Sequence, residues 1–160
     1  MATGEGKSSL ARKLAEGKPL CVFDVNDEWL DCSTDLNQPR CRFFGDEKKF
    51  IEICQNKHGG TFCVLEEATG FFVGAVGLEM RRLVIGKRHP VEKGGRNIVF
   101  LFHDINSVPP FLLNTADYIV LGKTGDDINT VKKKRIKLVR PFLQLQRMPK
   151  HSRIIIKNTG

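Results

Sequence analysis

The sequence predicts an α/β fold with a mostly parallel sheet and flanking helices, and three observations carry that reading. Short apolar runs recur at Leu20–Phe23, Thr61–Leu65, Asn97–Phe102 and Ala116–Leu121. The segments between successive runs suit the crossovers of parallel strands. Two of these runs end in carboxylates, Asp24 after the first and the pair Glu66-Glu67 after the second. The chain also opens on a small-residue stretch, Met1-Ala2-Thr3-Gly4-Glu5-Gly6-Lys7-Ser8-Ser9, that runs into the helical pattern Leu10-Ala11-Arg12-Lys13-Leu14-Ala15.

That opening reads as a phosphate-binding loop. Glycines at 4 and 6 allow successive backbone N–H groups to turn inward around an anion, Lys7 is placed to reach β- and γ-phosphates, and Ser8 sets a hydroxyl for Mg²⁺ at the helix N-terminus. The candidate cradle is Thr3, Gly4, Glu5, Gly6, Lys7, Ser8 and Ser9. Counting back through the full pattern G-x-x-x-x-G-K-[ST] puts its first glycine at Met1. The buried strand that ordinarily feeds such a loop is therefore expected to be missing from this chain. The alternative is a chance Gly-Lys-Ser before a helix.

A chain of 160 residues with 41% hydrophobic content can bury one real core, so a single domain is the default. The longest apolar runs, such as Ile98 to Phe102, fall far short of a membrane span, and the N-terminus lacks the apolar core of a signal peptide. A soluble, cytoplasmic protein without membrane contact is expected. Five cysteines at 21, 32, 41, 54 and 63 include no C-x-x-C pair, which suits a reducing compartment. Cys32, Cys41, Cys54 and His58 have spacings that match no compact zinc knuckle, so structural zinc is not expected.

The net charge of +8 is unevenly placed. Residues 1–127 hold 16 Lys and Arg with all 18 acids, whereas residues 128–160 hold 10 Lys and Arg and no acid. The organisation follows that split: a core over 1–127, and a basic helix and strand or tail over 128–160 packed on the same domain. A block of one sign offers contacts to nucleic-acid phosphates, or forms a solvated or disordered tail.

Taken in order, the first helix should end near Glu16-Gly17 with Gly17 as C-cap, before Lys18-Pro19 and the strand Leu20–Asp24. Val25–Trp29 then lies at the C-terminal edge of the sheet, where parallel α/β sheets place their chemistry. Residues 31–45 are polar, contain Pro39 and show no sustained period, so they read as loop. Asp46 caps a helix with Phe50, Ile51 and Cys54 on one face, ended by His58-Gly59-Gly60.

The strand Thr61–Glu67 carries the two acids. Neighbouring side chains of an extended chain face opposite ways, so Glu66 can hold the metal's water shell while Glu67 polarises an attacking water. Residues 70–80 are expected to be a mobile Gly- and Phe-rich segment before a helix near Met80–Ile85. A third strand over Asn97–His103 is tipped by a histidine. Val108-Pro109-Pro110 opens a short connector or helix to Leu113, and Ala116–Gly122 is a fourth strand of the same parallel sheet. Thr124–Asp127 caps a helix over Ile128–Val139 that Pro141 ends, and Arg153–Lys157 is a last strand.

The loop at Gly4–Ser8, the Asp24-x-Asn26-x-Glu28-Trp29 segment, the acid pair in Val64–Ala68 and the Phe102-His103-x-x-Asn106-Ser107-x-Pro109 segment occur in the order of one family. The chain resembles P-loop NTPases of the HerA/FtsK type, within it the viral and phage genome-packaging branch, over residues 2 to about 125. The resemblance implies an ATP-hydrolysing motor that translocates DNA and works as a homo-oligomeric ring, with a viral portal or procapsid as partner, in a bacterial or virus-infected host cell. It implies ATP and Mg²⁺ as cofactors, Lys7 and Ser8 on phosphate and metal, Glu66 as the metal-side acid, Glu67 as the catalytic glutamate and His103 as the sensor of the γ-phosphate. Arg88, with Arg82 second, is the candidate arginine finger. The family's missing first strand would lie at the centre of the sheet, between the strands ending at His103 and Gly122, unless Arg153–Lys157 fills the gap. Two rivals remain at this stage: a small P-loop kinase acting on a nucleotide, and a truncated, non-catalytic nucleotide- or nucleic-acid-binding module.

Overall fold

A computed structural model describes residues 5–57, 60–86 and 97–158. The chain divides between Leu101 and Phe102 into two compact units.

The first unit is a four-stranded, all-parallel sheet flanked by helices. Its strands are β1 (Leu20–Phe23), β2 (Arg40–Phe43), β3 (Phe62–Leu65) and β4 (Asn97–Phe100), in the order β2-β1-β3-β4. The helices are α1 (Glu5–Leu14), α2 (Glu47–Asn56) and α3 (Gly74–Gly86). All four residues of β1 are buried, as a parallel strand covered on both faces requires. Alternation along β1 divides them between two cores. Leu20 and Val22 pack with Ala11 of α1 and Ala15 just beyond it, with Trp29, and with Val64 of β3. Phe23 faces the other way, into an aromatic group: its ring lies 5.3 Å from that of Phe50 on α2 and 4.9 Å from that of Phe71.

Local chemistry explains the helix ends. Gly17 takes φ +70 beyond α1, the left-handed stop that a glycine adopts without steric cost. Asp46 caps α2 by accepting a hydrogen bond from the Lys49 N–H at 3.0 Å. Both endings agree with the sequence reading.

Two expectations fail in this unit. Residues 31–45 include a strand: β2 pairs in parallel register with β1, and Ser33 bridges its outer edge, with the Arg42 N–H donating to the Ser33 carbonyl at 2.8 Å. Arginines alternate with Cys41 and Phe43 there, the pattern of an edge strand half in solvent. Residues 70–80 are also structured, as a 3-10 turn over Ala68–Phe72 followed directly by α3. Phe71 and Met80 anchor that segment in the core, both fully buried. All five cysteines are buried free thiols. Cys32 lies in the core on the α1 side, whereas Cys41 stands in register beside Cys21, whose neighbour Phe23 faces α2.

The second unit contains α4 (Pro110–Thr115), β5 (Tyr118–Gly122), α5 (Ile128–Lys134), a 3-10 turn over Ile136–Leu138, α6 (Val139–Gln146) and β6 (Arg153–Lys157). Its core gathers Ile105, Leu113, Leu121, Val131, Leu138, Phe142 and Leu145. The basic segment is thus folded rather than a solvated tail. Here the fourth strand departs from expectation, because β5 pairs antiparallel with β6 in a separate two-stranded sheet. The last strand therefore does not take a place beside β4, which ends the described parallel sheet. Pro141 does not stop a helix but sits in the first turn of α6, where a missing N–H costs nothing. Asn158 ties the end of β6 to α4, its amide donating to the carbonyls of Leu113 at 3.0 Å and Ala116 at 2.7 Å.

Truncating Phe50 to alanine would empty the centre of the aromatic group. We expect Phe50→Ala to lower the stability of the first unit by about 3–5 kcal/mol, read as a shift of the urea midpoint at unchanged slope.

Candidate functional site

Strand order decides where a site can form. The chain passes from β1 to β2 on one side, then returns to lay β3 on the other side of β1. At such a reversal the connections leave in opposite directions, and a crevice opens outside the C-terminal ends of the two strands. Asp24 follows β1 and Glu66 follows β3, so the crevice is edged by carboxylates.

Asp24 builds the first wall. It is 2% exposed, and its carboxylate accepts the backbone N–H groups of Glu28 at 3.0 Å and Trp29 at 3.1 Å. Arg42 of β2 donates to Asp24 at 3.1 Å and to Asp27 at 2.8 Å. Asp27 holds φ 54, a left-handed turn that aspartate tolerates better than most residues. Residues 24–29 are therefore a tight bend folded around one buried carboxylate. From the other side Arg12 of α1 clamps the same bend, with its guanidinium 4.2 Å from the centre of the Trp29 ring and 2.7 Å from Asp31, while also donating to the Glu28 carbonyl. The Arg12 guanidinium holds the Asp31 carboxyl below the usual carboxylate range.

At the centre the Ser8 hydroxyl lies 2.7 Å from Glu66 Oε1 and 2.5 Å from Glu28 Oε2. Ser8 stands near the N-terminal end of α1, the end that carries positive potential. The indole Nε1–H of Trp29 donates to the same Glu66 oxygen at 2.8 Å. Trp29 and Glu66 are both buried, and Glu66 Oε2 has no hydrogen-bond partner among the described residues. Burial pushes the Glu66 carboxyl above its ordinary range. The bonds from Ser8 and Trp29 pull the other way, and the charges of Glu28 and Asp24 push it further up.

This arrangement can hold a hard divalent cation. Among the described residues no group of three or more His, Cys, Asp or Glu side chains is placed to cage a metal. A hydroxyl beside one or two carboxylates, with phosphate and water completing the shell, is instead the usual provision for Mg²⁺. The orphaned Glu66 oxygen fits that provision, since a buried carboxylate oxygen without a donor is costly unless a cation or ordered water meets it.

Of the residues expected at the site, Ser8 and Glu66 come together. Gly6, Lys7 and Ser9 lie with Ser8 in the first turns of α1, Lys7 half-buried and Ser9 exposed, and Glu5 begins the helix. The helix thus starts earlier than Leu10, which puts the Gly-Lys-Ser triplet itself in helical geometry. Glu67 follows Glu66 with φ 49 and ψ 53, so it is not part of an extended strand and simple alternation does not set its direction. The strand expected over Asn97–His103 ends at Phe100, and His103 is an exposed residue of the second unit. Arg82 is exposed on α3. Thr3, Gly4 and Arg88 lie outside the described residues.

Asp24, Glu28, Trp29 and Arg42 belong to the site but were not singled out as site residues. The available signal was the Asp-x-Asn-x-Glu-Trp spacing at the end of an apolar strand, which marks a carboxylate bend without saying which acid turns toward Ser8. No family model matches the chain, nor does any curated protein or solved structure.

If Asp24 organises the bend, Asp24→Ala should destabilise the first unit by about 3 kcal/mol, the scale of losing buried charge-assisted hydrogen bonds. Asp24→Asn, which keeps one acceptor, should lose less. Urea unfolding followed through Trp29 emission reads both, and an unchanged midpoint in Asp24→Ala would contradict the role.

Proposed function

We propose that the first unit is the core of a P-loop NTPase that binds ATP with Mg²⁺ and hydrolyses it, and that turnover drives DNA translocation, as in genome-packaging motors of the HerA/FtsK type. One observation carries the nucleotide reading. The serine of a Gly-Lys-Ser helix start meets the acid at the tip of a neighbouring parallel strand, 58 residues away in sequence, at 2.7 Å. A hydroxyl shared between a helix N-terminus and a strand-end carboxylate is what a phosphate-bound cation requires.

The roles follow from position. In this reading the N-terminal end of α1 turns backbone N–H groups toward phosphate oxygens, and Lys7 adds a positive charge beside them. Ser8 and Glu66 would hold Mg²⁺, which when bound neutralises charge developing on the phosphate oxygens. Glu67 orients the attacking water and accepts its proton. Arg88 enters the reading as arginine finger by the resemblance alone.

For the DNA half of the reading, the support is charge. Residues 102–160 hold 11 Lys and Arg against 4 acids. Lys132, Lys133, Lys137, Arg140, Arg147, Lys150, Arg153 and Lys157 are exposed, a density suited to phosphate contacts. Lys134 and Arg135 are spent inside the unit, on the Val108 carbonyl at 3.2 Å and on Asn158 at 2.8 Å. A ring, and a portal or procapsid partner, belong to the same proposal.

Two substitutions test it. Lys7→Ala should abolish binding of Mg²⁺-ATP in a filter or calorimetric assay. Glu67→Gln should retain that binding and lower turnover by at least about 100-fold, the lower end of the range for removing a general base. Full binding by Lys7→Ala would end the nucleotide reading, and equal loss of binding and turnover in Glu67→Gln would end the assignment of Glu67. Hydrolysis that rises with added DNA, and less so as salt is raised, would support the motor over a nucleotide kinase.

A further inference from the structure

We propose that Glu28 is a third member of the cation site, and that Ser8, Glu28 and Glu66 together take a hard divalent cation before any nucleotide is present. The proposal deepens the nucleotide reading of the same crevice and rests on it only for the role the bound cation later plays.

Proton counting supports the assignment. A serine hydroxyl carries one hydrogen and can donate to one acceptor at a time. Ser8 nevertheless stands at hydrogen-bond distance from two carboxylate oxygens, Glu28 Oε2 at 2.5 Å and Glu66 Oε1 at 2.7 Å. Through that shared hydroxyl the two oxygens lie within about 5 Å of each other, close enough for like charges to repel strongly in a site that is partly dry. Glu66 is 4% exposed, and its second oxygen has no partner among the described residues. Two acids, one proton and one orphaned buried oxygen form a set that a single small cation satisfies at once, since every group in it is an oxygen donor.

The surroundings hold these donors in place. Glu28 is fixed at its backbone from two sides, its N–H held by Asp24 and its carbonyl by Arg12. Glu66 is fixed by the Trp29 indole. Burial differs between the two acids in a way that supplies an entry path: Glu66 closes the floor, while Glu28 is an exposed residue on the solvent side. A hydrated cation can therefore meet Glu28 first and lose water stepwise toward Ser8 and Glu66.

Trp29 is the single tryptophan of the chain and touches the site, so its excitation reports on a lanthanide bound there. Titrating the nucleotide-free protein with Tb³⁺ should give saturable, tryptophan-sensitised emission that Mg²⁺ and Mn²⁺ compete away. Glu28→Gln should weaken Tb³⁺ affinity at least tenfold, while Glu16→Gln, an exposed acid outside the site, should leave it unchanged. Retained far-UV circular dichroism and buried-type Trp29 emission establish that Glu28→Gln is folded. Equal Tb³⁺ affinity in wild type and Glu28→Gln, or no sensitised emission from the wild type, overturns the proposal. Binding of Mg²⁺-ATP by the wild type is measured alongside. Glu28-dependent Tb³⁺ binding without ATP binding would uphold the cation site and sink the nucleotide reading. ATP binding with a Glu28-independent Tb³⁺ signal would do the reverse.

Discussion

The contact between Ser8 and Glu66 is the constraint on which the site depends. It fixes the N-terminal turn of α1 at the C-terminal tip of β3, two segments with no reason in local sequence to meet. The Ala11 and Ala15 methyls make the approach possible, because small side chains let α1 lie close against Leu20, Val22 and Val64. Alternation then gives the opposite face of β1 to the aromatic group around Phe23 and Phe50, so the sheet is covered on both sides and its strand tips point the acids into one crevice. The core therefore positions the chemistry, and the crevice is where the sheet's connections part.

Around that contact the bend at residues 24–29 acts as a second scaffold. Asp24 is buried and spends its carboxylate on two backbone N–H groups and Arg42. Its charge is thereby compensated, and Glu28 and Glu66 are the acids that meet Ser8. Arg12 serves α1 in the same way: stacked on Trp29 and paired with Asp31, it couples the helix to the bend. Helix, bend and strand tip are thus tied by side chains whose own partners are fixed, the condition for a preorganised site.

Much of this was legible in the sequence for identifiable reasons. β1 and β3 announce themselves as apolar runs because both their faces are covered, β4 is an apolar run at the half-buried edge of the described sheet, and Asp46 and Gly17 mark helix ends by their own chemistry. β2 was not legible, since Arg40 and Arg42 alternate with Cys41 and Phe43 on an edge and Pro39 precedes them. The antiparallel pairing of β5 with β6 was missed because an apolar run fixes a strand but not its partner or direction. Ser8 and Glu66 were readable as a pair because each sits in a motif with a fixed relation to its element. Glu28 was not, because its approach to Ser8 depends on the fold of the bend around Asp24, which no spacing rule encodes. Glu67 shows the same limit, as its left-handed backbone removes the alternation that would have set its direction.

The central claim is that the Ser8 oxygen is a direct ligand of the cation that accompanies nucleotide. Replacing that oxygen by sulfur tests it with little change in shape. In Ser8→Cys, nucleotide affinity supported by Mg²⁺ should fall at least tenfold and recover when thiophilic Cd²⁺ or Mn²⁺ replaces it, with wild-type protein in the same ions as reference. Affinity that is indifferent to the substitution, or a loss that neither ion restores in a folded variant, would contradict it.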